Sequence, residues 1–303
     1  MHRWLERRIQ ALYEQLLQND LDRVPTHVAV IQDGNRRYAR ERGEDATNGH
    51  REGAKTTEQM LEWCEELGIE ELTLYAFSTE NFERPPEERA ALFDLIERKL
   101  REFADSERVH DSAVGIRVIG DVDRLPDRVK RAVEYAELQT DDYDEFVLNV
   151  ALAYGGRSEL LSATRRVLDR VDNGKLEPAS IELETIENEL YDKDVREVDL
   201  IIRTGGDERT SNFLPWYANG NEAAVYFCAP YWPEFSKAEF LRGIRTYQYR
   251  EQSWQRTRAK RMKALLRTVS STEAGGIDSD PAYVPGRRSA GVDIEGGDDA
   301  GSA

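Results

Sequence analysis

Six short runs, "HVAVI" (27–31), "LTLYAF" (72–77), "IRVIG" (116–120), "FVLNVALAY" (146–154), "DLIIRT" (199–204) and "AAVYFC" (223–228), are mostly apolar and are separated by longer stretches with helical spacing. Strands that lack a regular polar alternation are buried on both faces, and the helices between them supply the covers. The pattern predicts an α/β fold: a single domain around a mostly parallel central sheet of about six strands, flanked by helices over 51–67, 86–105, 126–139, 157–173, 180–191 and 236–268. The chain has 303 residues, 39% of them hydrophobic, which suits one large domain. Residues 1–20 read as a charged amphipathic helix with Leu5, Ile9, Leu12 and Leu16 on one side, 21–269 as the main domain. Residues 270–303 are rich in Gly, Ser, Asp and Pro and are expected to be a disordered acidic tail.

The formal net charge is −17, and lysine supplies only 8 of the 42 basic residues. Nucleic-acid binding needs a basic stripe that displaces counterions, so this balance argues against a nucleic-acid partner. An acid-rich, lysine-poor surface resembles that of halophilic proteins, where concentrated salt screens self-repulsion. Cys64 and Cys228 stand alone, without metal-ligand or disulfide spacing. The N-terminus lacks a signal-peptide core and no run approaches the ~20 apolar residues needed to span a bilayer. A cytoplasmic protein is expected, peripheral at a membrane at most.

In open parallel sheets, ligands sit beyond the carboxyl ends of the strands. The segments there are "QDGNRR", "STENFERPP", "GDVDRLP", "GGRSE" and "RTGGDERTSN". They bring Asp33, Asn35, Arg36, Arg37, Ser78, Glu80, Asn81, Arg84, Arg157, Arg203, Asp207, Arg209 and Ser211 to one edge. Gly34, Gly155, Gly156, Gly205 and Gly206 are expected to let backbone N–H groups approach an anion, and arginine's planar fork suits phosphate. A carboxylate such as Asp33 among phosphates implies a divalent cation between them. Singly, each motif is an ordinary turn; there is no P-loop and no GxGxxG after a strand. "DDYD" (141–144) reads as solvated surface, and the set carries weight only because distant loops share one edge.

The order of "HVAVIQDGNRRYAR", "GHREGAK", "LTLYAFSTENFERP", "RVIGD", "LNVALAYGGRSEL", "VDLIIRTGGDERTSNFLPW" and "VYFCAPYWPEF" resembles the cis-prenyltransferases, the undecaprenyl and dehydrodolichyl diphosphate synthase family. The resemblance runs from about residue 20 to 250, and "DGNRRYA" is closest to archaeal and eukaryotic members. It implies a Mg²⁺-dependent prenyltransferase, usually a homodimer, that adds isopentenyl diphosphate repeatedly to an allylic diphosphate, geranylgeranyl or farnesyl diphosphate, giving a polyprenyl diphosphate for glycosyl-carrier lipid. It places the allylic site on Gly34, Asn35, Arg36, Arg37, Tyr38 and His50, with Asp33 on the metal. It makes Ser78, Thr79, Glu80, Asn81, Phe82 and Arg84 the loop over the reacting carbons, and Arg203, Arg209, Thr210 and Ser211 the isopentenyl diphosphate clamp. Asp33, helped by Asn81 and His50, is the candidate base. Ala91, Leu92, Leu95, Ile96, Leu100 and Phe103 become a tunnel wall, although the same stripe is also ordinary core.

Three positions depart from the family pattern. Ala46 stands where an arginine is usual, with Arg51 or Arg36 as substitutes. Ala224 stands where the second metal carboxylate is expected, leaving Glu222 as the candidate. "YQYREQSWQR" lacks the usual arginine–x–glycine ending, which leaves open a heteromer in which this chain is a non-catalytic or co-catalytic subunit. A general phosphate-ester hydrolase lacks a nucleophile with an adjacent base.

Overall fold

The computed structural model describes residues 2–190, 196–217 and 223–274. The chain divides into two units, residues 1–254 and 255–303, the second helical where described. Along the chain run α1 (His2–Asn19), β1 (His27–Ile31), α2 (Asn35–Glu41), α3 (Ala46–Leu67), β2 (Glu71–Ser78), α4 (Pro86–Ala104), α5 (Glu107–Asp111) and β3 (Val114–Ile119). There follow α6 (Asp127–Gln139), β4 (Phe146–Tyr154), α7 (Gly156–Asp172), α8 (Leu183–Leu190), β5 (Leu200–Arg203), β6 (Ala224–Phe227) and α9 (Lys237–Ala274).

The six strands form one sheet in the order β3-β4-β2-β1-β5-β6, and every described pairing is parallel. All residues of β1 and β5 are buried, which is why their sequences show no polar alternation. The larger core lies between the sheet and α3, α4 and α6, with Met60, Phe77, Phe93, Leu148 and Trp232 among its members. A smaller core on the other face gathers Ala29, Ile201, Tyr154, Phe213 and Leu214.

Several elements differ from the reading of the sequence. Helix α3 begins at Ala46 rather than 51, because Asp45 caps it by accepting from the Asn48 N–H at 3.0 Å, and Gly49 and Gly53 belong to the helix. The short helix α5 has too few turns to show periodicity. Helix α9 is described as far as Ala274, beyond the expected end at 268. The expected tail from 275 onward lies outside the described residues. Helix α1 docks on α9 through Leu17, buried against Ala238 and Leu241, while Ile9, Leu12 and Leu16 are exposed.

Candidate functional site

Strand β1 is central, with β2 on one side and β5 on the other, so the segments following these three strands are neighbours. The register pairs Ile31 with both Tyr75 and Arg203. Asp33, two residues beyond Ile31, therefore lies beside the side chain that ends β5. Asp33 Oδ2 accepts from Arg203 Nη2 at 2.7 Å, and Oδ1 accepts from the Gly34 N–H at 2.6 Å and lies 3.2 Å from Arg37 Nη2. Burial alone would raise the pKa of Asp33. The hydrogen bond and charge of Arg203, then Arg37 and the Gly34 N–H, outweigh it and hold the carboxyl below the usual carboxylate range.

Arg203 is 3% exposed and holds the next loop together. Its Nη1 donates to the Arg209 carbonyl at 2.6 Å and to Ser211 Oγ at 2.5 Å, and its Nη2 also donates to Asp207 Oδ2 at 3.1 Å. The same Asp207 oxygen accepts from Arg209 Nη2 at 3.1 Å. Asp207 thus sets two guanidinium groups side by side, one buried and one with its side chain 68% exposed.

On the other side of Asp33, His50 from α3 faces the start of α4. Its Nε2 lies 3.3 Å from Arg84 Nη1 and 3.9 Å from Glu88 Oε1, and Arg84 also donates to Glu88 at 2.7 Å. Arginine has no acceptor, so His50 Nε2 accepts and the ring is neutral. Burial first, then the Arg84 charge, partly opposed by Glu88, push His50 down to about 4. Asn81 closes its own turn: its Oδ1 accepts from the Ser78 N–H at 3.0 Å in a capping box. Phe82 packs on Phe77 with ring centroids 5.0 Å apart and lies 4.3 Å beneath the Arg124 guanidinium.

The glycines behave differently from the anion cradle read in the sequence. The Gly205 N–H is taken by the Pro230 carbonyl and the Gly206 N–H by the Cys228 carbonyl, at 2.7 and 2.9 Å. A Cβ on Gly156 would meet Pro215 Cδ at 2.1 Å, and one on Gly155 would meet Thr79 Oγ1 at 2.8 Å. These glycines serve close packing within the protein and turns at positive φ. Arg157 uses its backbone N–H on Asn212 Oδ1.

From this polar mouth a cavity of about 900 Å³ runs inward between the sheet and helices α3 and α4. The mouth is lined by Asp33, Gly34, Asn35, Arg36, Arg37, Arg40, His50, Asn81 and Arg84. The interior is lined by Ala54, Leu74, Ala76, Leu92, Leu95, Ile96, Leu100, Phe103, Leu148 and Val150. The volume is at the upper end for small-molecule sites, and a charged end joined to an apolar one suits an amphiphile with an anionic head.

Most of the sequence-derived set thus meets at one edge. Tyr38 packs instead under Arg42, whose guanidinium is 3.7 Å from its ring, and Ser78, Thr79, Glu80 and Phe82 do not line the cavity. Arg203, Arg209 and Ser211 form an adjoining group joined to the mouth through Asp33, and the Thr210 carbonyl accepts from the Phe213 N–H. Glu222 lies outside the described residues. Ala46 lines the cavity with Arg36 and Arg40, and Arg51 does not. Arg40, Glu88, Lys99 and Trp232 were not singled out in the sequence. Glu88, four residues after Arg84 at the start of a helix, carried the spacing of an ion pair.

The carboxylate–guanidinium mouth and the apolar cavity behind it place an amphiphile-sized site at the carboxyl edge of a parallel α/β sheet. The family model described as "Putative undecaprenyl diphosphate synthase" matches residues 31–255. A tritrans,polycis-undecaprenyl-diphosphate synthase (geranylgeranyl-diphosphate specific) of Halobacterium salinarum is 65% identical over 261 residues, 86% of each chain. The protein of the same name from Haloarcula marismortui is 61% identical over 263 residues, 87% of this chain and 86% of its own. The crystal structure of lavandulyl diphosphate synthase from Lavandula x intermedia in complex with dimethylallyl diphosphate matches with a TM-score of 0.68 and 32% identity, over 74% of this chain and 95% of that one. This chain belongs to the undecaprenyl diphosphate synthase family of cis-prenyltransferases.

Proposed function

We propose that the protein is a Mg²⁺-dependent cis-polyprenyl diphosphate synthase that condenses isopentenyl diphosphate repeatedly onto geranylgeranyl diphosphate. The allylic carbon–oxygen bond breaks and diphosphate leaves. The allylic carbon bonds to the terminal alkene carbon of isopentenyl diphosphate, and a proton lost from that unit leaves a new cis double bond. The observation that carries this reading is the continuity of an anion-binding mouth with an apolar cavity of about 900 Å³, which fits a diphosphate head and a growing hydrocarbon tail.

The allylic diphosphate is assigned to Gly34, Asn35, Arg36, Arg37 and His50, with Arg40 beside them in place of the arginine replaced by Ala46. Donors already positioned at the mouth stabilise charge that develops on the leaving diphosphate. Isopentenyl diphosphate is assigned to Arg203 and Arg209, which Asp207 holds in position, and to Ser211, which Arg203 holds, and a second fixed diphosphate orients the alkene. Among the described residues no cluster of three metal ligands occurs. Magnesium needs none, since it takes one or two carboxylates together with substrate phosphates and water, and Asp33, ionised and 31% exposed at the mouth, fits that role. When bound there it would neutralise charge on the departing diphosphate. Asp33, with Asn81 and His50 lining the same mouth, remains the assigned proton acceptor.

The acidic surface supports operation in concentrated salt, a homodimer is the assembly we assign, and the exposed apolar stripe of α1 supports peripheral membrane contact during product release. The test is incubation of the purified chain in high KCl and Mg²⁺ with radiolabelled isopentenyl diphosphate and each allylic starter. Long-chain product from this chain alone, greatest with geranylgeranyl diphosphate and lost in Asp33→Ala, is expected. Product formed only after a second polypeptide is added would overturn the reading.

A further inference from the structure

One cationic side chain interrupts the otherwise apolar inner part of the cavity. Lys99 lines it among Leu95, Ile96, Leu100 and Phe103, about 20 Å along α4 from Pro86 at 1.5 Å per residue. Its ammonium reaches across to α3, where Nζ lies 2.8 Å from Glu58 Oε1, and it also lies 2.6 Å from Glu102 Oε2 one turn further on. Helix α4 has its main helix–helix contact with α6, and the Lys99–Glu58 pair spans the lesser contact between α4 and α3. The Lys99 side chain is 26% exposed, against 47% for Glu58 and 48% for Glu102. Its methylene stem therefore belongs to the cavity wall and its charge to a half-hydrated cluster outside.

We propose that Lys99, held by Glu58 and Glu102, is a length-determining stop in the side wall of the cavity. A hydrocarbon chain that reaches it can extend between α4 and α3 only by stripping water from one ammonium and two carboxylates and parting them. The ion pair itself is weak because it is partly exposed; the obstacle is the hydration of three charges, which an apolar chain cannot replace. Below that point growth is unopposed, and beyond it each further unit meets the stop.

This inference rests on the synthase reading, and its test separates the two. Wild type, Lys99→Met, Glu58→Gln/Glu102→Gln and Lys99→Arg are incubated with geranylgeranyl diphosphate, labelled isopentenyl diphosphate and Mg²⁺, and the dephosphorylated products are resolved by chain length. Lys99→Met keeps an unbranched side chain one heavy atom shorter and removes its charge. The carboxamide variant leaves Lys99 in place, so a folding defect in one does not decide the result. The expected outcome is a product maximum at least one isoprenoid unit longer in both variants, with Lys99→Arg at the wild-type length. An unchanged length distribution in the variants overturns the stop alone. No incorporation by wild type with any starter overturns the synthase reading and the stop with it.

Discussion

Arg203 is buried and makes hydrogen bonds to Asp33, Asp207, Ser211 and the Arg209 carbonyl, so one side chain joins the end of β5 both to the cavity mouth and to the loop that carries Arg209. Lysine keeps the charge but not the planar fork that spans these partners. Arg203→Lys is expected to lower kcat/KM by about 100-fold or more, and steady-state kinetics with isopentenyl diphosphate as the varied substrate checks it. His50 offers a second test through its protonation. It titrates near 6.5 when unfolded and near 4 when folded, so between these values the unfolded chain binds the extra proton. Its contribution is fully present above pH 6.5 and is lost as the pH falls through about 4, for a total on the order of 3 kcal/mol. His27, also lowered by burial, acts in the same direction, so the measurement is the difference in urea unfolding between wild type and His50→Gln. The variant's stability should depend less on pH from 6.5 to 4, and an equal dependence would refute the assignment. Asp33 and its neighbouring arginines stood out in the sequence because so much charge on one turn is rare. The engagement of Gly205 and Gly206 with the Pro230 and Cys228 carbonyls did not, because a glycine pair reads alike whether it faces a ligand or its own protein.

Helices α2 and α3 meet through glycines, and this contact sets the depth of the mouth. A Cβ on Gly49 would come 2.0 Å from the Asn35 carbonyl oxygen, which as backbone cannot move aside. On Gly53 it would meet Asn35 Oδ1 at 2.2 Å and Trp232 Cδ1 at 2.7 Å, both side-chain atoms. Gly49→Ala is therefore expected to destabilise by about 2–3 kcal/mol and Gly53→Ala by less, with thermal unfolding giving the order. Because Gly53→Ala pushes directly on Asn35, its loss of activity should exceed its loss of stability. The helical spacing of α4 was legible from the sequence, and Leu92, Leu95, Ile96, Leu100 and Phe103 do face the cavity. Ala91 does not line it and Lys99 does, a distinction that amphipathic spacing cannot make because a long side chain lies along an apolar wall and carries its charge outward.

A net charge of −17 on one folded chain repels itself, and the many surface ion pairs are individually worth ~0–1 kcal/mol. Screening weakens both, but with the imbalance so large the repulsion governs. The thermal midpoint is expected to rise by several degrees between about 0.2 and 2 M KCl, where the Debye length falls to ~3 Å or less. Scanning calorimetry across that range checks it, and a flat or falling midpoint would show that the ion pairs dominate. No helix among the described residues is long and apolar enough to cross a membrane. Unaided, the sequence determined the α/β class, the positions of six strands and the edge where the chemistry gathers, since burial on both faces leaves unbroken apolar runs and parallel strands deliver their following loops to one side. Only the tertiary structure decided the strand order that brings Asp33 next to Arg203, which glycines face protein, and where the cavity runs. Those depend on pairings between residues as far apart in sequence as Asp33 and Arg203, and local periodicity carries no record of which partner a strand or side chain finds.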